Sequence, residues 1–346
     1  MWVRGTGASI GQSAGRRGSG RGRSYCRRTR YRVIRKESEE MENEKVAVLI
    51  PCFNEALTIG KVVKDFRDAL PGATIYVYDN NSNDGTGDAA REAGAIVRKE
   101  YRQGKGNVVR TMFREVDADI YLMVDGDDTY PAGDGRGLLE PVVAGEADMV
   151  VGTRMVRYTD KAFRRFHVFG NNLVVALINI LFRSSIHDCL SGYRAFSRTF
   201  VKTIPVISSG FEIETEMTTH ALDKGFAIRE VPIDYGKRPE GSASKLNTIK
   251  DGMLILKTVF RLFKDYRPLA FFSAISAVLF AAGLGSGIPV ILEFLDTGLV
   301  PRFPTAILAS ALVVLSVLMF SVGLILDTIV RHQRESYELW VKNVHQ

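Results

Sequence analysis

A short apolar stretch, Tyr121-Leu122-Met123-Val124, runs directly into Asp125-Gly126-Asp127-Asp128, which places three carboxylates within four positions. The apolar residues read as a buried strand, so the acids fall at a strand end. Carboxylates crowded there repel one another unless a cation lies between them. A hard divalent ion with oxygen ligands, Mg²⁺ or Mn²⁺, suits such a place, and these ions commonly hold substrate phosphates as well. Asp125 and Asp127 are therefore the candidate metal ligands, with Gly126 between them. The alternative for the same residues is a solvated acidic turn.

The elements that must position these acids follow an alternating pattern. Val46 to Ile50 is a short apolar run, and Glu55 to Leu70 carries apolar residues at helical spacing. Thr74 to Tyr78 reads as a second strand, Asp88 to Ala93 as a helix and Ala95 to Arg98 as a third strand. Gly106 to Val116 is a further helix and Ile120 to Val124 a fourth strand. This βαβα order predicts a mostly parallel, doubly wound sheet with helices on both faces. Such sheets bind ligands at the carboxyl ends of their strands. Three polar clusters fall there: Asn54-Glu55, Asp79 to Asp84, and Asp125 to Asp128. Pro51-Cys52-Phe53-Asn54-Glu55 opens the first helix, where Asn54 can cap the leading N–H groups. The cluster from Tyr78 to Thr86 offers acceptors suited to a ribose and a base ring, or else a self-bonded loop. Tyr101-Arg102-Gln103-Gly104-Lys105-Gly106-Asn107 is a basic loop whose glycines let the backbone approach a ligand, or a solvated turn.

Composition narrows the classes. The 346-residue chain has a formal charge of +7, but residues 1–36 hold ten arginines and Lys36 with no acid. The remainder is therefore net negative, which argues against a protein that coats nucleic acid. The Gly-, Ser- and Arg-rich leader, residues 1–40, is too polar to build a core and is expected to be disordered. The pattern after Met41 resembles a natural N-terminus, which favours a leader read from an upstream start. A lipid-touching basic tail and an organellar transit-like segment are the alternatives. Cys26, Cys52 and Cys189 lack the spacing of a zinc site or a disulfide framework, which fits a reducing compartment.

Pro268 to Leu292 and Phe303 to Leu326 contain no charged side chain, and each exceeds the roughly 20 residues that cross a bilayer as helix. Lys264 and Arg267 precede the first, and Arg331 and Arg334 follow the second. That arrangement predicts a transmembrane hairpin with the large domain and the C-terminus in the cytoplasm. A buried soluble hairpin is the alternative. Arg164 to Phe182 and Leu246 to Phe263 read as basic amphipathic helices, the second suited to the headgroup layer.

Together these motifs resemble a GT-A-fold family 2 glycosyltransferase, and within it the polyprenyl-phosphate sugar synthases such as dolichol-phosphate mannose synthase. The resemblance runs from about Lys45 to Leu246. Gly152-Thr153-Arg154 is similar to the family's phosphate-binding arginine loop. Asp188 to Arg194 is similar to its Ser-Gly-aromatic-Arg segment, and Arg238 with Ser244-Lys245-Leu246 to its basic clamp over a diphosphate. The resemblance implies that Pro51, Phe53 and Glu55 line a nucleoside pocket, with Tyr78 and Asp79 beside it. It implies that Asp125 and Asp127 face a metal and a diphosphate, and that Arg154, Arg238 and Lys245 neutralise phosphate oxygens. Asp79-Asn80 stands where relatives often have two acids, and Thr129 where some use a Gln ligand, so Asp128 or water is a substitute there. The spacing from Arg238 to Lys245 is one residue longer than the family pattern.

The implied reaction moves a sugar from a nucleotide donor (GDP-mannose, UDP-glucose or UDP-GlcNAc type) to an undecaprenyl or dolichyl phosphate, with inversion. A transferase acting on a glycan hydroxyl, with Glu214 or Asp188 as base, and a non-catalytic membrane assembly subunit are the alternatives. The expected organisation is a catalytic domain over 41–245, a juxtamembrane amphipathic helix over 246–267, two spans over 268–330 and a cytoplasmic tail over 331–346. A homo-oligomer is compatible with this reading.

Overall fold

The computed structural model describes residues 44–154, 164–210, 212–236, 257 and 260–344. The leader, most of the expected juxtamembrane helix, and both Arg238 and Lys245 lie outside the described residues.

Strand β1 (Val46–Cys52) is buried along its whole length, as a central parallel strand must be. It pairs in parallel with β2 (Thr74–Asp79) on one side and β4 (Ile120–Met123) on the other; β3 (Ile96–Lys99) pairs with β2. Beyond β4 come β6 (Arg194–Ser197), β5 (Met149–Arg154) and β7 (Ile228–Ile233), giving the order β3-β2-β1-β4-β6-β5-β7. All strands run one way except β6, which is antiparallel to both β4 and β5. The register sets Cys52 level with Asp79, and the Val124 N–H reaches Leu49 O at 3.0 Å. The carboxyl ends of β1, β2 and β4 therefore form one edge.

Helix α1 (Ala56–Ala69) lies on the sheet through Ile59, Val62, Val63 and Phe66, the i, i+3, i+4, i+7 set that makes one face. Each is at most 3% exposed, and such burial contributes about 1.5–3 kcal/mol per side chain. Helix α2 (Thr86–Glu92) follows β2, and α4 (Gly135–Val143) packs with α1. The opposite face carries α3 (Lys105–Glu115), α6 (Arg198–Thr203) and α7 (Ile213–Asp223). There Val108, Met112, Phe113, Phe200 and Met217 join Leu49, Tyr121, Met123 and Phe196 in one core cluster. Helix α5 (Arg164–Phe182) seats Val174, Ile178 and Leu181 in a second cluster with Leu262.

Two long apolar helices close the chain, α8 (Pro268–Thr297) and α9 (Phe303–Val344). Gly298, at φ 69°, ends α8 in the left-handed cap that glycine favours. The pair is antiparallel and close: Ser276 Oγ donates to Ser316 O at 2.8 Å, and Gly283 lies against Ala309 and Val313. Both outer ends touch the sheet domain. Arg267 donates to Leu181 O at 2.9 and 3.2 Å, Arg334 pairs with Asp223 at 2.7 Å, and Lys224 lies over the Tyr337 ring. Both ends of the hairpin thus lie on the sheet domain. The residues after Arg331, expected as a tail, continue α9 as helix to Val344.

Candidate active site

The loop after β4 is shaped by its own side chains. Thr129 donates to Asp127 Oδ1 through its hydroxyl at 2.6 Å and its N–H at 3.2 Å, fixing a carboxylate that is 3% exposed. Thr129 therefore spends its hydroxyl on orienting Asp127. Asp128 adopts φ 58° and pairs with Lys61 of α1 at 2.7 Å. Gly126 lies against Cys52 and Glu55, and its carbonyl accepts the Thr58 hydroxyl at 2.7 Å, stitching the β4 end to the β1 end. Burial, then Glu55, pushes the Cys52 thiol well above its ordinary range.

Asp125 meets a cation of the protein itself. Lys105 Nζ lies 2.5 Å from Asp125 Oδ1 and 2.5 Å from Glu214 Oε1. Asp125 also faces Gly192, where a Cβ would stand 2.5 Å from Asp125 Oδ2; no other residue fits there without moving the carboxylate. The Gly192 N–H donates to the Tyr130 hydroxyl at 3.1 Å.

The β1 and β2 ends are woven together by polar bonds. The N–H groups of Asn54, Glu55 and Ala56 donate to Ser82 Oγ, Thr86 Oγ1 and Asp84 Oδ2 at 2.9, 2.8 and 3.0 Å. Asn54 does not cap α1; it sits at φ 53° and accepts the Asn83 N–H. Burial raises the Asp84 carboxyl, but hydrogen bonds from Thr86 and the Ala56 amide outweigh it and hold the carboxyl below its ordinary value. Asp79, 4% exposed, accepts the Ser82 N–H at 3.0 Å.

Tyr78 requires a correction. Its side chain is fully buried in the α3-side core, and its hydroxyl donates to Glu115 at 3.0 Å, so it does not line a pocket. The alternation of a strand explains this: consecutive residues point to opposite faces, so Tyr78 and Asp79 cannot share one. Asn80 proves to be a clamp. Its amide donates to Glu100 O at 2.8 Å and Arg102 O at 2.9 Å and accepts the Gly104 N–H at 2.7 Å. An amide supplies the two donors and one acceptor used here and a carboxylate cannot, which accounts for Asn where relatives often have an acid. Glu100 supports the same loop; hydrogen bonds from Arg102, then Thr111, hold its carboxyl down to about 2 against the opposing effect of burial.

Arg154, at the end of β5, makes a two-pronged pair with Asp188, Nε to Oδ2 at 2.8 Å and Nη2 to Oδ1 at 2.9 Å. Burial lowers its pKa and the Asp188 carboxylate more than offsets that, so it stays cationic. The guanidinium also lies 5.7 Å from the Tyr235 ring centroid. Glu230 accepts the N–H groups of His187 and Asp188 at 2.8 and 3.0 Å, which fixes the loop that presents Asp188. Arg194, by contrast, belongs to the core: it is 0% exposed and donates to Ser191 O, Cys189 O and Thr218 Oγ1.

The structure brings Asp125, Asp127, Glu55, Asp79 and the Lys105–Glu214 pair to one strand edge. The roles of Lys105, Asn80, Tyr130, Tyr235 and Glu230 escape sequence reasoning. Only the Gly-Lys-Gly spacing around Lys105 hints at one. Among the described residues no group of three or more His, Cys, Asp or Glu side chains is arranged to hold a metal. Asp125 and Asp127 nonetheless fit a hard divalent ion. Their donors are carboxylate oxygens, Asp125 already holds a cationic ammonium, and two carboxylates suffice when substrate phosphates complete the shell.

The sequence profile of glycosyl transferase family 2 matches residues 47–204. Glycosyltransferase AglJ of Haloferax volcanii is 34% identical over 293 residues, covering 84% of this chain and 96% of that protein. A dolichyl-phosphate hexose transferase of the same organism is 28% identical over 224 residues, 65% of this chain and 96% of its own. Glucosyl-3-phosphoglycerate synthase from Mycobacterium tuberculosis, crystallised with Mn²⁺, uridine diphosphate and glucosyl-3-phosphoglycerate, superposes with a TM-score of 0.55. It is 21% identical and covers 66% of this chain and 82% of that one, a likeness of fold.

Proposed function

The chain belongs to glycosyl transferase family 2, and on that premise we propose that it transfers a hexose from a nucleotide sugar to a polyprenyl phosphate in the membrane. The observation that carries the acceptor is the hairpin. Both of its outer ends are bonded to the sheet domain through Arg267 and Arg334, so an acceptor whose tail lies in the bilayer is held beside the domain that would use it. A relative named for dolichyl-phosphate hexose transfer supports the same acceptor class.

A phosphate oxygen is already anionic at neutral pH and attacks the anomeric carbon without a base, while the nucleoside diphosphate leaves and the configuration inverts. Asp125 and Asp127 would hold Mg²⁺ or Mn²⁺, which supplies neutralisation of the departing diphosphate. Arg154, oriented by Asp188, adds a fixed positive charge. Arg238 and Lys245, outside the described residues, are proposed to add two more. Pro51, Phe53, Glu55 and Asp79 would receive the nucleoside; Tyr78 is withdrawn from that set.

A hydroxyl acceptor would need a general base. The two candidates for it, Glu214 and Asp188, are each tied to a cation, Lys105 at 2.5 Å and Arg154 at 2.8 Å. That favours the phosphate acceptor. Flanking Lys264, Arg267, Arg331 and Arg334 favour a cytoplasmic catalytic domain.

The test incubates membranes containing the protein with radiolabelled GDP- and UDP-sugars, polyprenyl phosphate and Mn²⁺. Label entering the organic phase only with the divalent ion supports the reading. Label in water-soluble glycan replaces it with the hydroxyl-acceptor alternative, and no transfer to any acceptor overturns it in favour of the assembly-subunit alternative.

A further inference from the structure

Lys105 is a buried charge that the chemistry above does not use. Its side chain is only 10% exposed, with Asp125 and Glu214 each 2.5 Å from its ammonium. The backbone drives it there. Gly106 presses so closely on 208–209 that a Cβ would stand 2.1 Å from the Ser208 carbonyl oxygen, and its N–H donates to Ser209 O at 3.1 Å. Glu216 of α7 fixes that segment by accepting the N–H groups of Ile207 and Ser208 at 2.9 and 2.8 Å. The same helix carries Glu214. Lys105 therefore lies between Glu214, on a helix bonded to the 207–208 segment, and Asp125, one of the two proposed metal ligands.

We propose that Lys105 is a built-in counter-ion: it holds the cation position at Asp125 when no divalent ion is present, and gives it up only when a nucleoside diphosphate arrives with the metal. This rests on the reading that Asp125 and Asp127 hold the ion. An ammonium 2.5 Å from Asp125 Oδ1 and a divalent ion on the same carboxylate repel each other, so the ion's arrival works against the ammonium's position there. Metal alone would leave a buried ammonium with Glu214 as its remaining carboxylate. When the diphosphate is present its oxygens replace Asp125 as the second anion, and Glu214 keeps the ammonium in reach. Metal and nucleotide then favour each other, and by linkage each raises the other's affinity by the same factor. The protein gains a guard against binding metal without donor.

The test measures Mn²⁺ binding by electron paramagnetic resonance of the full chain in detergent, with and without UDP or GDP. Wild type is expected to bind Mn²⁺ at least about tenfold more tightly with the matching nucleotide, within the usual range of such coupling. Lys105→Met should bind Mn²⁺ alone about tenfold more tightly than wild type, with the nucleotide enhancement reduced, because a charge touching the ligand is gone. Glu214→Gln keeps the shape but removes one anion, leaving Lys105 to lean on Asp125, so Mn²⁺ alone should bind more weakly than to wild type. Glu214→Gln carries the test by itself if Lys105→Met does not fold. Unchanged Mn²⁺ affinity in the folded variants, or equal wild-type affinity with and without nucleotide, overturns this inference while leaving the metal site standing. Absence of Mn²⁺ binding under every condition overturns the metal site as well.

Discussion

Asn80→Asp changes one atom type and should be strongly destabilising. Asn80 is 3% exposed and donates to two carbonyl oxygens, Glu100 O at 2.8 Å and Arg102 O at 2.9 Å. An aspartate cannot donate to either. The loss of two hydrogen bonds costs about 1–3 kcal/mol. A carboxylate held against two carbonyl oxygens, with Asp79 and Glu100 nearby, adds desolvation and repulsion of about 2 kcal/mol or more. The sum, about 3–5 kcal/mol, should lower the melting temperature of a domain this size by about 6–20 °C. The sign with pH is defined: the introduced carboxyl has a raised folded-state pKa, so its penalty is full above that pKa and shrinks as pH falls through it. Melting followed by intrinsic fluorescence from about pH 8 down to about pH 5 should show the deficit narrowing. Nucleotide affinity, read by calorimetry, should fall because residues 100–104 lose their anchor. A variant that melts within about 1 °C of wild type at every pH would refute the clamp.

Gly192→Ala places a Cβ 2.5 Å from Asp125 Oδ2, so transfer should fall about 100-fold with little change in melting temperature; steady-state kinetics and a melt check both. Asp188→Asn removes the charge facing Arg154 and should lower kcat/KM about 100-fold, consistent with breaking a largely buried pair. Glu100 is held down to about 2 from its ordinary 4.5. Its stabilisation is therefore present above about pH 4.5 and lost as pH falls toward about 2, and Glu100→Gln should flatten the acid limb of the stability profile in that window.

Much of the parallel half was legible because periodicity and strand ends are local. Val46 to Ile50 and Ile120 to Val124 are apolar enough to be read as buried strands, and the polar clusters after them mark the ligand edge. β6 was not legible. It is four residues long, begins with a buried arginine, and is defined by pairing with strands distant in sequence. The aspartates proposed to hold the metal stood out because three acids in four residues are conspicuous. Lys105 did not, because its meaning depends on Glu214, which folding brings to it from 109 positions away. Tyr78 was named through the family resemblance beside Asp79, whereas a strand turns such neighbours to opposite faces and Tyr78 points into the core.

The proposed transfer depends most on a divalent cation held by Asp125 and Asp127 against a nucleoside diphosphate. Anomalous scattering from crystals of the full chain grown with Mn²⁺ and UDP or GDP tests it directly. A manganese peak between the two carboxylates, touching diphosphate oxygens, is expected, and it should be lost in Asp127→Ala. A nucleotide bound at that edge with no manganese beside Asp125 and Asp127 would contradict it.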